Sequence, residues 1–68
     1  MREVQIEGDV IRLGQLLKVA GIVDSGGEAK ELIANGGVTV NGETETRRGR
    51  QLHAGDLLAA AGQDIRLV

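Results

Sequence analysis

Residues 25–42 read SGGEAKELIANGGVTVNG, and this stretch decides the fold. Ser25, followed three positions later by Glu28, predicts a capping box in which each side chain satisfies a free N–H of a helix's first turn. Ala29, Leu32 and Ile33 supply the apolar stripe of that helix, and Gly36-Gly37 stops it. Val38-Thr39-Val40 then changes the period from helical to alternating, the mark of a strand. Asn41-Gly42 tolerates positive φ at both positions and folds the strand back as a hairpin.

Upstream, Leu13, Leu16, Leu17 and Ala20 fall at i, i+3, i+4 and i+7, one face of a second short helix, and Gly21 stands where its left-handed cap belongs. A tight loop between the two helices predicts an antiparallel or crossed pair. Further out, Val4 and Ile6 alternate with polar neighbours over Arg2–Glu7, as in a half-buried strand, and Gly8-Asp9 ends it. Downstream, Thr44 and Thr46 suit a return strand, Arg47-Arg48-Gly49-Arg50 reads as an exposed loop, and Leu52 resumes the apolar pattern. Ala54-Gly55-Asp56 is a second turn. Leu57–Ala61 has helical propensity, but Gly55 and Gly62 bound it so tightly that a strand is the better reading. Gly62-Gln63 turns the chain again, and Ile65, Leu67 and Val68 make a last strand. The order predicts an α+β fold: two short helices packed on one face of a small antiparallel sheet of four to five short strands. Residues 1–68 are expected to be a single domain, with no linker, repeat or low-complexity segment.

Composition removes several functions. A chain of 68 residues buries only about 60% of the surface it exposes when unfolded, so the core is thin. There is no cysteine and one histidine, His53, which excludes disulfides, thiolate metal sites and His-rich metal sites. His53 is read as a surface or turn residue. No catalytic triad with a glycine elbow, phosphate loop or metal-ligand cluster is present, so neither an enzyme nor a cofactor is expected. No apolar run approaches the ~18 residues of a membrane span, and the first residues lack a signal-peptide core. A soluble, cytoplasmic, monomeric protein is expected. The absence of Phe, Trp and Tyr rules out base stacking on aromatic rings. The net charge of −2 argues against nucleic acid, but the charge is unevenly spread: Thr46 to Gly55 carries three arginines and no acid.

Taken in order, Leu13-x-x-Leu16-Leu17, Gly21, Ser25-x-x-x-Ala29-Lys30-x-Leu32-Ile33-x-x-Gly36, Val38-x-Val40-Asn41-Gly42 and Gly55-Asp56 resemble the S-four (S4) RNA-binding domain, the αL motif of ribosomal small-subunit protein four. The resemblance covers Ile11 to Leu58. The length, the N-terminal strand and Thr46-Arg47-Arg48 are similar to the small stand-alone bacterial members, RNA-binding proteins linked to ribosomes or translation. It implies an RNA-contacting face at Ser25, Lys30, Asn41 and Gly42, extended by the basic loop at Arg47, Arg48 and Arg50. Two positions depart from the family pattern. Gly14 replaces an acid found in many members, and Gly26 replaces an arginine, which removes a phosphate contact.

Each of these residues also has a plainer explanation. Ser25 is first a helix cap, although free N–H groups at a helix start also attract phosphate. Lys30 lies off the apolar stripe, as a solvated helix residue would. Asn41-Gly42 is first a turn. The arginine loop suits phosphate, because a guanidinium bridges two oxygens, but it could simply be solubilising and paired with Glu43 and Glu45. Arg12 and Lys18 flank the first helix and are as consistent with solvent as with a basic face. The expected partner is structured RNA, ribosomal or transfer, on the ribosome, bound by shape and backbone with strong salt dependence. The alternative is a protein-interaction module that keeps the fold without an RNA site. A ubiquitin-like carrier, which needs a C-terminal Gly-Gly, is not expected from a chain ending Arg66-Leu67-Val68.

Overall fold

A computed structural model describes residues 1–68. The chain runs β1 (Arg2–Val4), β2 (Ile11–Arg12), α1 (Leu13–Val19), α2 (Gly26–Ala34), β3 (Val38–Val40), β4 (Glu43–Thr44), β5 (Gln51–Leu52), β6 (Leu57–Ala60) and β7 (Gln63–Leu67). Both predicted helices are present, and Leu57–Ala60 is a strand, as its glycine boundaries required.

Ser25 caps α2 from an extended backbone, its Oγ accepting the Glu28 N–H at 3.2 Å. The reciprocal bond predicted from Glu28 is not made. Its carboxylate stands in the first turn, where the helix dipole favours it. Both helices end in the same way. Gly21 and Gly36 adopt φ of 74° and 77° and donate to Lys18 and Ile33, while the next residues, Ile22 and Gly37, reach back to Leu17 and Leu32. This double bond pattern is the Schellman motif. Gly37 is also a glycine for want of room: a Cβ there would stand 2.5 Å from Leu32 Cδ1.

α1 begins differently. Its N-cap, Arg12, provides no side-chain bond. Instead the Leu13 and Gly14 N–H groups donate to the carbonyls of Arg50 (2.9 Å) and Arg48 (3.0 Å). The arginine loop is therefore the cap of α1, satisfying donors that a helix start otherwise leaves open. A two-stranded antiparallel ribbon brings it there, with Ile11 opposite Leu52 and Arg12 opposite Gln51.

The main sheet has five strands in the order β1-β7-β6-β3-β4. The β3–β4 and β6–β7 hairpins turn on Asn41-Gly42 and Ala61-Gly62, with positive φ at both positions of each. The second turn lies one residue earlier than Gly62-Gln63. It was hidden because alanine rarely adopts φ of 51°. The expected purely antiparallel sheet is also corrected: β1 lies parallel to β7, with Arg2 opposite Ile65 and Val4 opposite Leu67. Alternation reports which face a strand buries but not its direction, and the whole intervening chain serves as the crossover a parallel pair needs. The main sheet has five strands, as expected, and β2 and β5 form a separate ribbon that the sequence did not indicate.

Inward residues of the sheet (Val38, Val40, Leu58, Ala60, Ile65, Leu67) meet Leu13, Leu16, Leu17, Ala29 and Ile33 of the helices in one aliphatic core, closed by Val4, Ile6 and Leu52.

Candidate nucleic-acid interface

Glu45, directly after β4, is the one buried charged residue. Its carboxylate accepts the Arg47 backbone N–H (3.1 Å), Arg47 Nε (3.1 Å) and Nη2 (3.3 Å), and Arg50 Nη1 (2.7 Å). These bonds, led by the Arg47 guanidinium and then Arg50, lower its pKa to about 2. The same contact raises the pKa of Arg47. A turn bond from the Arg50 N–H to the Arg47 carbonyl closes the loop at 3.2 Å. Glu45 thus accounts for two of the three arginines. Glu43 makes no ion pair.

Arg48 is different. Its guanidinium has no carboxylate partner, and its aliphatic stem crosses α1 over Gly14, where an added Cβ would stand 2.6 Å from Arg48 Cγ. Around it, Arg12, Gly14, Gln15, Lys18, Gly26, Ala29, Arg48 and Gly49 line a cleft of ≈ 310 Å³ between α1, the start of α2 and the loop. The charged residues of this lining are Arg12, Lys18 and Arg48, and none is an acid. Gly26 lines the α2 end of the cleft, and no other atom lies within 4 Å of where a Cβ would stand.

The cations divide by whether they have a partner. The chain has eight Lys and Arg residues. Arg2 donates to the Ala20 carbonyl and to Gln63; Arg47 and Arg50 bind Glu45; Arg66 binds Glu3. The others, Arg12, Lys18, Lys30 and Arg48, have no partner. Three line the cleft, and Lys30 stands one helical turn after Gly26, on the same face of α2.

The residues expected to share one face are therefore divided. Arg48 enters the cleft, and Ser25 and Lys30 flank its α2 end. Arg47 and Arg50 sit on Glu45, with Arg47 still largely exposed. Asn41 and Gly42 do not line the cleft. The Asn41 side chain ties its turn to the next one, with Oδ1 accepting the Leu57 N–H at 2.9 Å and Nδ2 donating to Asp56 at 3.2 Å. Asp56 also accepts the His53 N–H at 2.8 Å, and mainly through that bond its pKa is lowered. Arg12 and Lys18, left unassigned by the sequence, are functional candidates. With Gln15 they run at intervals of three along α1, beside the apolar stripe. That spacing was visible, but its partner across the cleft, Arg48, is thirty positions downstream of Lys18.

Comparison with known proteins agrees with this architecture. The S4 domain family model matches residues 4–68. The chain is 42% identical over 59 residues to RlbA of Bacillus subtilis, named as a probable ribosome maturation protein, covering 87% of this chain and 83% of that one. It is 40% identical over 58 residues to YbcJ of Escherichia coli, covering 85% of this chain and 83% of YbcJ. The solution structure of YbcJ, described as revealing an αL motif involved in RNA binding, superimposes with a TM-score of 0.73 and 36% identity over 100% of this chain and 87% of that one. A tyrosine–tRNA ligase of Burkholderia lata is 38% identical over 60 residues, which span 88% of this chain but 14% of the enzyme. The chain belongs to the S4 domain family.

Proposed function

We propose that this chain is an RNA-binding protein of ribosome maturation or translation, and that it holds structured ribosomal RNA in the cleft of Arg12, Lys18 and Arg48. The observation that carries the reading is the placement of the cations: in a chain of net charge −2, the cations without a partner converge on one acid-free cleft and its rim. RlbA, similar in sequence over most of both chains, and YbcJ, similar in sequence and fold, support the connection to ribosomes and RNA. Lys30 and Ser25 extend the site along α2. Arg47 contributes its outer edge, while Arg50, Asn41 and Gly42 hold their turns in place. The chain acts as a single domain and a monomer in the cytoplasm, where its RNA is. No helix is long and apolar enough to cross a membrane. Without aromatic rings, recognition rests on phosphates and backbone shape.

The test is a fluorescence titration of a structured ribosomal RNA fragment, with transfer RNA as the comparison, over a salt series. Wild type should bind at about 50 mM salt, and the triple variant Arg12→Ala, Lys18→Ala, Arg48→Ala should bind more weakly with a log–log salt slope smaller by about 2–3. No wild-type binding at low salt, or no loss in the triple variant, overturns the proposal. Nuclease- and salt-resistant retention of a protein by the chain would favour the interaction-module reading instead.

A further inference from the structure

Glu45 is a negative charge in the middle of the arginine loop, next to a surface proposed to bind a polyanion. Charge alone makes it a defect, and the geometry gives it a use. Its carboxylate is buried, so it is not in the path of a ligand. It takes the Nε–Nη2 side of Arg47, leaving Nη1 and the outer edge of that guanidinium facing water, with the side chain 74% exposed. It takes one end of Arg50 as well. Together with the Arg47–Arg50 turn bond these contacts fix residues 47–50, and the carbonyls of this segment then cap α1 at Leu13 and Gly14. Arg48 lies between the two clamped arginines, with its stem held against Gly14.

We infer that Glu45 is a positioning residue for RNA binding: a buried counter-ion that sets the arginine loop so that Arg48 is presented over α1 and Arg47 turns its free edge outward. The inference rests on the proposed RNA site and deepens it. Two effects oppose each other when Glu45 is replaced. Removing an acid beside three arginines strengthens long-range attraction to phosphate. Releasing the loop makes Arg47 and Arg48 pay rotamer entropy on binding and leaves their geometry unset. A preorganised Arg–phosphate contact depends steeply on geometry, so the second effect wins.

The sign of the change is therefore diagnostic. Glu45→Gln raises the net charge by one unit, yet it should weaken binding of the structured ribosomal RNA fragment by about tenfold and lower the salt slope by about 1, the equivalent of one lost phosphate contact. A structural role alone would not move the slope of molecules that remain folded, so binding is measured well below the variant's thermal midpoint with folding verified by NMR. A double-mutant cycle supplies the second readout. In an Arg47→Ala, Arg48→Ala background, Glu45→Gln should change affinity less than twofold, because the side chains it positions are gone. Tighter or unchanged binding by Glu45→Gln, or an equal loss in both backgrounds, overturns the inference. Failure of wild type to bind RNA at all would instead overturn the proposed function, so the two outcomes remain distinct.

Discussion

At position 14 the chain uses a glycine inside a helix, where alanine is ordinarily better by up to about 1 kcal/mol. Gly14 is buried, and its missing Cβ is the space filled by the stem of Arg48, 2.6 Å from where that atom would be. Cγ is close to the backbone, and the Arg48 carbonyl is already bonded to the Gly14 N–H, so the side chain cannot step aside without moving the loop. Gly14→Ala should therefore cost both stability and binding. Calorimetry should show a thermal midpoint lower by several degrees, because crowding against Arg48 outweighs the helix propensity gained, and RNA affinity measured well below that midpoint should fall roughly three- to tenfold. Equal affinity in the two proteins would show that the place of Arg48 over Gly14 does not matter for binding.

At the level of elements, the two hairpins use the same turn geometry with unequal residues. Asn41-Gly42 is well suited to left-handed backbone at both positions, and the Asn41 amide is also engaged with Asp56 and Leu57. Ala61-Gly62 puts a residue with a Cβ at φ of 51°, which costs about 1 kcal/mol or more. Ala61 is exposed, so no packing offsets that cost. Ala61→Gly should raise stability by about 0.5–1 kcal/mol in urea unfolding, the gain being reduced by the greater freedom of glycine in the unfolded chain. A loss of stability would show that the turn is not strained. The contrast also marks how far sequence reading reaches. The helices, the Ser25 cap and the Asn41-Gly42 hairpin were legible because each is specified by residues within a few positions of one another. The Ala61-Gly62 turn lies one residue before the glycine-led position the sequence suggests, because its first position breaks the local rule. The β2–β5 ribbon was not legible, since two-residue strands carry no period. The direction of β1 was not legible, since it is set by pairing with residues more than sixty positions away. In the site, the basic loop was visible in the sequence but its division was not. Glu43-Thr44-Glu45-Thr46 alternates as if both acids faced water, and only the fold shows that one of them turns inward to hold Arg47 and Arg50.

For the whole molecule, the balance of charge connects stability to pH. At neutral pH the ten acids slightly outnumber the eight Lys and Arg residues. Two of these acids support loops rather than merely facing solvent. Glu45 has its pKa lowered from an ordinary 4.5 to about 2, first by Arg47 and then by Arg50. Asp56 is lowered as well, first by the His53 N–H and then by Asn41. A carboxylate whose folded pKa is depressed binds protons more weakly in the native state than in the unfolded chain. Its contribution is fully present above the unfolded value and is lost as pH falls through the folded one. For Glu45 that window runs from 4.5 down to about 2. Urea midpoints should thus be nearly flat from neutral pH to about 5 and fall steadily below it, as protonation also leaves the cations repelling one another. Glu45→Gln isolates one residue from this background: it keeps the side-chain size, removes the charge and its titration, and replaces one acceptor oxygen by an amide that cannot accept from the arginines. The variant should be less stable than wild type at neutral pH, and the two urea curves should converge as the pH approaches 2. Parallel curves across that range would mean that the carboxylate of Glu45 is no better bound in the folded loop than in the unfolded chain, and the ion-pair cluster would lose its place as the anchor of the arginine loop.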